Sequence, residues 1–298
     1  MKISELLEHN KPFVSLEFFP PRERVAWPGF FDVVRNLKTT QPLFVSVTYG
    51  AGGTRQTNTL EIATRLKQEY DLEPLAHFTC VGASESRLRA FLDGLTDGGV
   101  ENILALRGDP PRGEQHFNAS DGRFSHAVDL VRFIREEYPH FCIGVAGYPE
   151  THPEASNSAR DLDFLKEKLD AGADFVVTQL FFDNALYFDF VSRARSIGIT
   201  QPIIPGVLPV ASLAGVKRMI GFCGATMPKA YLDDLELVQE RYGDAAVRGL
   251  GLGYAQQQVR DLIEHDAPGV HLYTLNKAET CLEIVRGNQD LLDAGKKG

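Results

Sequence analysis

NILALRGDPP, residues 102–111, is an apolar run that ends abruptly in charge and proline. Ile103 to Leu106 reads as a buried strand. Pro110 and Pro111 stop it, because proline has no N–H to give a ladder. Arg107 and Asp109 are spaced i and i+2, so in extended chain they point to the same side. Opposite charges presented together where a buried strand surfaces mark a candidate site. A plain ion pair closing the strand is the alternative.

Working outward, seven further runs of the same kind recur. They are Phe13–Phe19, Phe44–Tyr49, Leu72–Cys80, Cys142–Tyr148, Phe175–Phe182, Ile203–Val210 and Val270–Leu275. Most are rich in Val, Ile and Phe, as buried strands are. Between them lie stretches with helical spacing, such as Leu60/Ala63/Leu66, Leu88/Phe91/Leu92/Leu95 and Leu162/Leu165/Leu169. The repeat is roughly 30 residues, the length of one βα unit. The interval between the seventh and eighth runs is about twice that, and Met227–Tyr242 and Ala245–His265 read as additional helices. Eight such units predict an α/β fold, a closed (β/α)₈ TIM barrel with extra helices between strands 7 and 8. The rival, a doubly wound open sheet, usually carries a G-x-G-x-x-G turn after its first strand. Here that strand ends in Glu17-Phe-Phe-Pro-Pro21. The expectation is one catalytic domain over residues 1–298, with a frayed polar tail from about residue 288.

A net charge of -9 over 298 residues argues against nucleic-acid or acidic-membrane partners. No stretch approaches the ~18 apolar residues of a membrane span, and the polar N-terminus is not a signal peptide. The four cysteines form no C-x-x-C pair, which fits free thiols in a reducing cytoplasm. No metal is expected, since His77, His126 and His152 lack ligand spacing.

In a barrel, chemistry sits at the C-terminal strand ends. These carry Glu17, Thr48-Tyr49, His77, Arg107-Gly108-Asp109, Tyr148 to His152, Gln179, and Tyr273 to Lys277. Glu17 lies among Leu16, Phe18 and Phe19, where lost hydration raises a carboxyl pKa and suits a general acid. Alternation also allows it to point outward. Gly50-Ala51-Gly-Gly53 is either a tight turn or a close approach to a planar ligand. Asp161 and Lys168 share one side of a helix, either a solvated edge or a groove for a ribose and a phosphate. His77 reads equally as a core histidine.

The stretches SLEFFPPR (15–22), FVSVTYGAGG (44–53), HFTC (77–80), ALRGDPP (105–111), GYPETHPEA (147–155), DAGADFVVTQLFFD (170–183), IIPGVLPV (203–210) and HLYTLNKAE (271–279) run in one order along the chain. In this they resemble the methylenetetrahydrofolate reductases, of the short bacterial type without a regulatory domain. The resemblance implies a cytoplasmic, self-associating (β/α)₈ flavoprotein that holds FAD across the barrel mouth. It implies ping-pong reduction of 5,10-methylenetetrahydrofolate to 5-methyltetrahydrofolate by NADH or NADPH, supplying methyl groups for methionine synthesis. It also implies roles. Glu17 matches the general acid and Asp109 the aspartate between flavin and pterin. Thr48, Tyr49, Ala51, His77, Arg107, Gly108, Asp109, Ala127, Tyr148, His152, Ala155, Asp161 and Lys168 match FAD contacts. Gln179, Met219, Tyr273 and Lys277 match substrate contacts. Lys277 stands where the family often has arginine, and Met219 where it can place a stacking aromatic. A folate-dependent methyltransferase on a similar barrel would need no flavin, and the flavin-side residues speak against it. The same reductase run in the oxidative direction is the other alternative.

Overall fold

The computed structural model describes residues 1–49, 53–81, 83–108 and 123–294, with backbone alone at 53–56. Eight parallel strands close a barrel in sequence order. They are β1 (Val14–Phe18), β2 (Val45–Val47), β3 (Pro74–Thr79), β4 (Asn102–Leu106), β5 (Cys142–Gly147), β6 (Phe175–Leu180), β7 (Ile203–Val207) and β8 (Val270–Tyr273). Each lies inside, or within one residue of, one of the apolar runs. Buried β-branched and aromatic side chains suit strands covered on both faces.

The helices are α1 (Ile3–His9), α2 (Trp27–Lys38), α3 (Gly53–Gln68), α4 (Glu85–Asp97), α5 (Ala127–Glu137), α6 (Ser158–Asp170), α7 (Asn184–Ser196), α8 (Leu213–Cys223), α9 (Lys229–Tyr242), α10 (Asp244–Glu264), α11 (Ala278–Gly287) and α12 (Gln289–Ala294). Three of these, α8, α9 and α10, fill the long interval before β8, as expected. The expected frayed tail is instead ordered through α12, because Asn288 and Leu292 are buried. Asn288 donates to the Ile284 and Gln256 carbonyls, which ties the tail to α10 and α11. Among the described residues no helix is long and apolar enough to cross a membrane.

Two apolar layers hold the barrel. The larger lies between strands and helices and includes Phe18, Val47, Phe78, Leu92, Ile134 and Leu165. The smaller fills the lower barrel with Phe44, Leu75, Leu104, Phe175 and Ile204, and α1 closes its floor with Ile3 and Leu7. The Ile3 N–H donates to Asn102 Oδ1 at 2.7 Å, so the first turn of the chain is pinned to the start of β4. Above that plug the inward positions turn polar, and this is where the barrel opens at its C-terminal face.

Candidate active site

Register builds the polar layer. Glu17 on β1 lies opposite Ser46 on one side and Tyr273 on the other, and Ser15 lies opposite His271. Alternation then sends Ser15, Glu17, His271 and Tyr273 to the same, inner face. Glu17 is 5% exposed, so it does not point to solvent. Its Oε2 stands 3.4 Å from Nε2 of the buried His77 and 4.0 Å from Nε2 of the buried His271. His271 is held from both sides, with Nδ1 2.8 Å from Ser15 Oγ and Nε2 3.2 Å from Ser46 Oγ.

Burial decides the charge state here. Loss of hydration pushes the Glu17 carboxyl up to about 8, against a smaller lowering by the Ser46 hydroxyl. The same cause pushes His77 down to about 3. It does so for His271 too, also to about 3, with His77 adding to the effect. At neutral pH the pair is therefore a carboxylic acid beside a neutral imidazole. A proton kept on a carboxyl at neutral pH is what a general acid requires.

Tyr273 closes the layer. Its hydroxyl donates to the Thr178 carbonyl on β6 at 2.7 Å, reaching across β7. Burial, reinforced by Glu17, holds the phenol well above its ordinary value. The reach is possible because β7 has Gly206 there. A Cβ at Gly206 would lie 2.5 Å from the Thr178 carbonyl oxygen and 2.7 Å from the Tyr273 ring.

Beside this layer a cavity of about 280 Å³ opens between the ends of β4 and β5 and the helices α5 and α6. Arg107, Ala127, Tyr148, His152, Ala155, Asp161 and Lys168 all line it, with Phe164 and Glu167 at its α6 wall. Asp161 and Lys168 are thus wall residues, not a solvated edge. Arg107 bonds both oxygens of Glu154, at 2.5 and 2.8 Å. Lys168 donates to the Ala146 carbonyl at 2.6 Å, and desolvation pushes its ammonium down to about 8 against the opposing pull of Asp161. Asp161 accepts from the His152 N–H at 3.0 Å, while burial holds its carboxyl above the usual range. That bond ties α6 to the turn after β5, where Thr151 sits at φ 88°. A β-branched residue at positive φ is strained, and such strain gathers at functional sites. The helix itself starts at Ser158, with Asn157 as its cap. A larger cavity of about 410 Å³, at Lys11, Pro202 and Pro268, lies at the opposite end of the barrel. That face of a barrel serves stability.

The remaining expected residues fall in three places. Gly108 lies two residues beyond β4 at φ +87°, and a Cβ there would lie 2.9 Å from Thr79 Cβ, so both conformation and space demand glycine. Thr48 sits at the mouth beyond β2, its N–H on the Phe18 carbonyl at 3.0 Å. Tyr49 turns away from the mouth, its ring edge-on to Phe78 and Phe91 in the layer under α4. Gln179 is half-buried on β6 and its Oε1 accepts from the Leu180 N–H at 2.9 Å. Met219 packs in the apolar cluster of α8, α9 and α10 that also touches Tyr273, and Lys277 is exposed at the start of α11. Ala51 and Asp109 lie outside the described residues. Sequence reasoning missed Ser15, Ser46 and His271. The signal available was parity, since Ser15 precedes Glu17 by two and His271 precedes Tyr273 by two.

The methylenetetrahydrofolate reductase family profile matches residues 2–289. The chain is 38% identical over 305 residues to methylenetetrahydrofolate reductase (NADH) 1 of Arabidopsis thaliana, covering 99% of this chain and 51% of that protein. It is 37% identical over 292 residues to a probable methylenetetrahydrofolate reductase (NADPH) of Caenorhabditis elegans, covering 96% and 43%. The chain thus spans about half the length of the curated relatives it matches. Among solved structures, a Clostridium thermocellum protein described as binding two copies of 5-methyl-5,6,7,8-tetrahydrofolic acid superposes with a TM-score of 0.67. Its identity is 12%, over 99% of this chain and all of that one, so the likeness shows the barrel fold alone. The family profile along the chain and identities of this size lead to one conclusion: the chain belongs to the methylenetetrahydrofolate reductase family.

Proposed function

We propose that this barrel binds FAD and reduces 5,10-methylenetetrahydrofolate to 5-methyltetrahydrofolate by ping-pong exchange with NADH or NADPH, supplying methyl groups for methionine synthesis. Its relatives are named methylenetetrahydrofolate reductases, with NADH in one case and NADPH in another. The reading carries with it a cytoplasmic location, which the four free cysteines also suit, and self-association.

The cavity's donor set fits FAD. Arg107 and Lys168 are cations suited to a pyrophosphate, and Asp161 is a carboxylate suited to ribose hydroxyls. Ala127 and Ala155 leave room for a flat group to lie close to backbone. Thr48, Ala51, His77, Gly108, Tyr148 and His152 complete the proposed FAD contacts, and Tyr49 joins them through its backbone, its ring being packed toward α4. FAD, when bound, supplies a carrier for hydride between nicotinamide and folate.

The chain's own residues do the rest. Glu17 holds a proton on its carboxyl and gives it to the departing nitrogen as the five-membered folate ring opens. The neutral imidazole of His77 stands 3.4 Å away and adds no positive charge that would draw the proton off early. Gln179 and Tyr273 face the substrate, Met219 packs behind Tyr273, and Lys277 reaches toward the anionic folate tail as a point charge without arginine's fork. Asp109 is the second catalytic carboxyl of the proposal.

The observation that carries the reading is Glu17, a carboxyl buried inside the barrel mouth 3.4 Å from His77, where lost hydration raises its pKa. Flavin reduction by nicotinamide needs no acid, whereas ring opening does. Glu17→Gln is therefore expected to be reduced by NADH at close to the wild-type rate. Its oxidation by methylenetetrahydrofolate should slow by about 10²–10⁴-fold. Stopped-flow measurement of each half-reaction decides this. Equal slowing of both halves would make Glu17 a residue that positions the flavin, and no slowing would place the acid elsewhere.

A further inference from the structure

We propose that Asn276, with Thr274, is a positioning residue that latches the exit of β1 and so fixes where Glu17 presents its acid; the proposal rests on the reading of Glu17 given above. Regular pairing of β1 with β8 ends at Glu17 opposite Tyr273. Soon after come Pro20 and Pro21, which have no N–H to extend a ladder. Beyond Glu17, then, the strand that carries the acid has few backbone partners of its own.

The turn after β8 supplies them. Thr274, 3% exposed, donates its hydroxyl to the Glu17 carbonyl at 2.6 Å. The Asn276 N–H donates back to that hydroxyl at 3.0 Å. The Asn276 side-chain amide then takes both backbone groups of Phe19. Its Nδ2 donates to the Phe19 carbonyl at 2.7 Å and its Oδ1 accepts from the Phe19 N–H at 3.0 Å. The amide stands in for the next residue of a strand, and only a side chain with one donor and one acceptor can do so.

The backbone is bent to make this possible. Leu275 and Asn276 are consecutive non-glycine residues in the left-handed region, at φ 47° and 56°. Asparagine tolerates that conformation but a bulky leucine does not. Strain of this kind persists where the surroundings over-determine it, and it collects at functional sites. The same turn joins Tyr273 to Lys277, whose N–H bonds the Thr274 carbonyl at 2.8 Å. One short segment thus ties the acid's strand to two of the proposed substrate contacts.

The test uses the FAD-loaded full chain, with both half-reactions followed by stopped flow across pH. Asn276→Gly keeps the left-handed backbone easy and removes only the amide. It is expected to slow the folate half-reaction by about 100-fold, the usual effect of a displacement near 1 Å at a reacting group. Flavin reduction should stay within about twofold. The pH midpoint of the folate step should fall, because a carboxyl let out toward the mouth regains water. The titratable groups facing Glu17 among the described residues are His77 from β3 and His271 and Tyr273 from β8. Burial keeps all three neutral across this range, so the midpoint reports Glu17. Asn276→Asp keeps the acceptor, loses the donor and adds negative charge, so it should move the midpoint upward. Thr274→Val should behave like Asn276→Gly, and Thr274→Ser should restore wild-type behaviour. An unmoved midpoint and unchanged folate rate in Asn276→Gly and Asn276→Asp overturn the latch, as does equal slowing of both halves. If Glu17→Gln in the same series reduces folate normally, it is the reading of Glu17 that fails.

Discussion

Replacing Glu17 by glutamine should make the fold more stable, increasingly so as pH rises. The unfolded chain releases the Glu17 proton near the ordinary value of 4.5, whereas the folded protein keeps it until about 8. Between those values the folded state binds more protons than the unfolded one, so wild-type stability falls as pH rises through the window. Every pH unit that separates the two values is worth about 1.4 kcal/mol. Burying this acid therefore costs about 3 kcal/mol at pH 7 and about 5 kcal/mol above pH 8. Glutamine has the same shape and nothing to ionise, so it escapes that cost. Urea unfolding of the flavin-free proteins at pH 5 and pH 8 measures the difference. Both proteins share His77 and His271, so their titration cancels. The expected gain for Glu17→Gln is small at pH 5 and larger by roughly 3–5 kcal/mol at pH 8. An equal difference at both pH values would show that Glu17 ionises normally in the folded barrel, and the general-acid argument would fall with it.

Four further outcomes are expected. The buried histidines should give the opposite pH limb: with both held near 3, stability is intact above about 6.5 and is lost as pH falls toward 3, and thermal melts of His271→Gln should show a shallower loss. Lys168→Met should weaken FAD binding about tenfold or more, since charge-assisted hydrogen bonds are worth roughly 1.5–3 kcal/mol; fluorescence titration of the flavin-free protein with FAD reads this, and an unchanged affinity contradicts the role given to Lys168. Gly108→Ala should cost about 1–3 kcal/mol by urea unfolding, because its positive φ and the nearby Thr79 leave no relaxed place for a Cβ. Gly206→Ala should dislodge Tyr273 from the Thr178 carbonyl and slow folate turnover more than flavin reduction, a split that half-reaction kinetics would reveal.

Much of the barrel was legible because each strand is buried on both faces and so reads as a short unbroken apolar run. The helices before β8 were legible from interval length and spacing. The polar layer was only half legible. Glu17 stood out as a carboxyl among aromatics, but His271 sits inside an apolar run and looks like packing until register sets it beside Ser15 and Ser46. Arg107 shows why local pattern has limits. Its guanidinium grips Glu154, from the turn after another strand, a partner that spacing along β4 does not reveal. Tyr49 shows the same limit in direction, since a strand-end tyrosine can face the helices as readily as the mouth. The tail past residue 288 looked polar enough to fray, but Leu292 and the Asn288 amide are sufficient to dock it.

The central claim, a flavin-dependent folate reductase, is tested most directly by the visible spectrum of the purified chain under anaerobic conditions. The expected result is a flavin absorbance that bleaches on adding NADH or NADPH and returns on adding methylenetetrahydrofolate, with intact FAD released on denaturation. Failure of the protein to bind FAD after reconstitution, or a bleached flavin that methylenetetrahydrofolate leaves reduced, would contradict it.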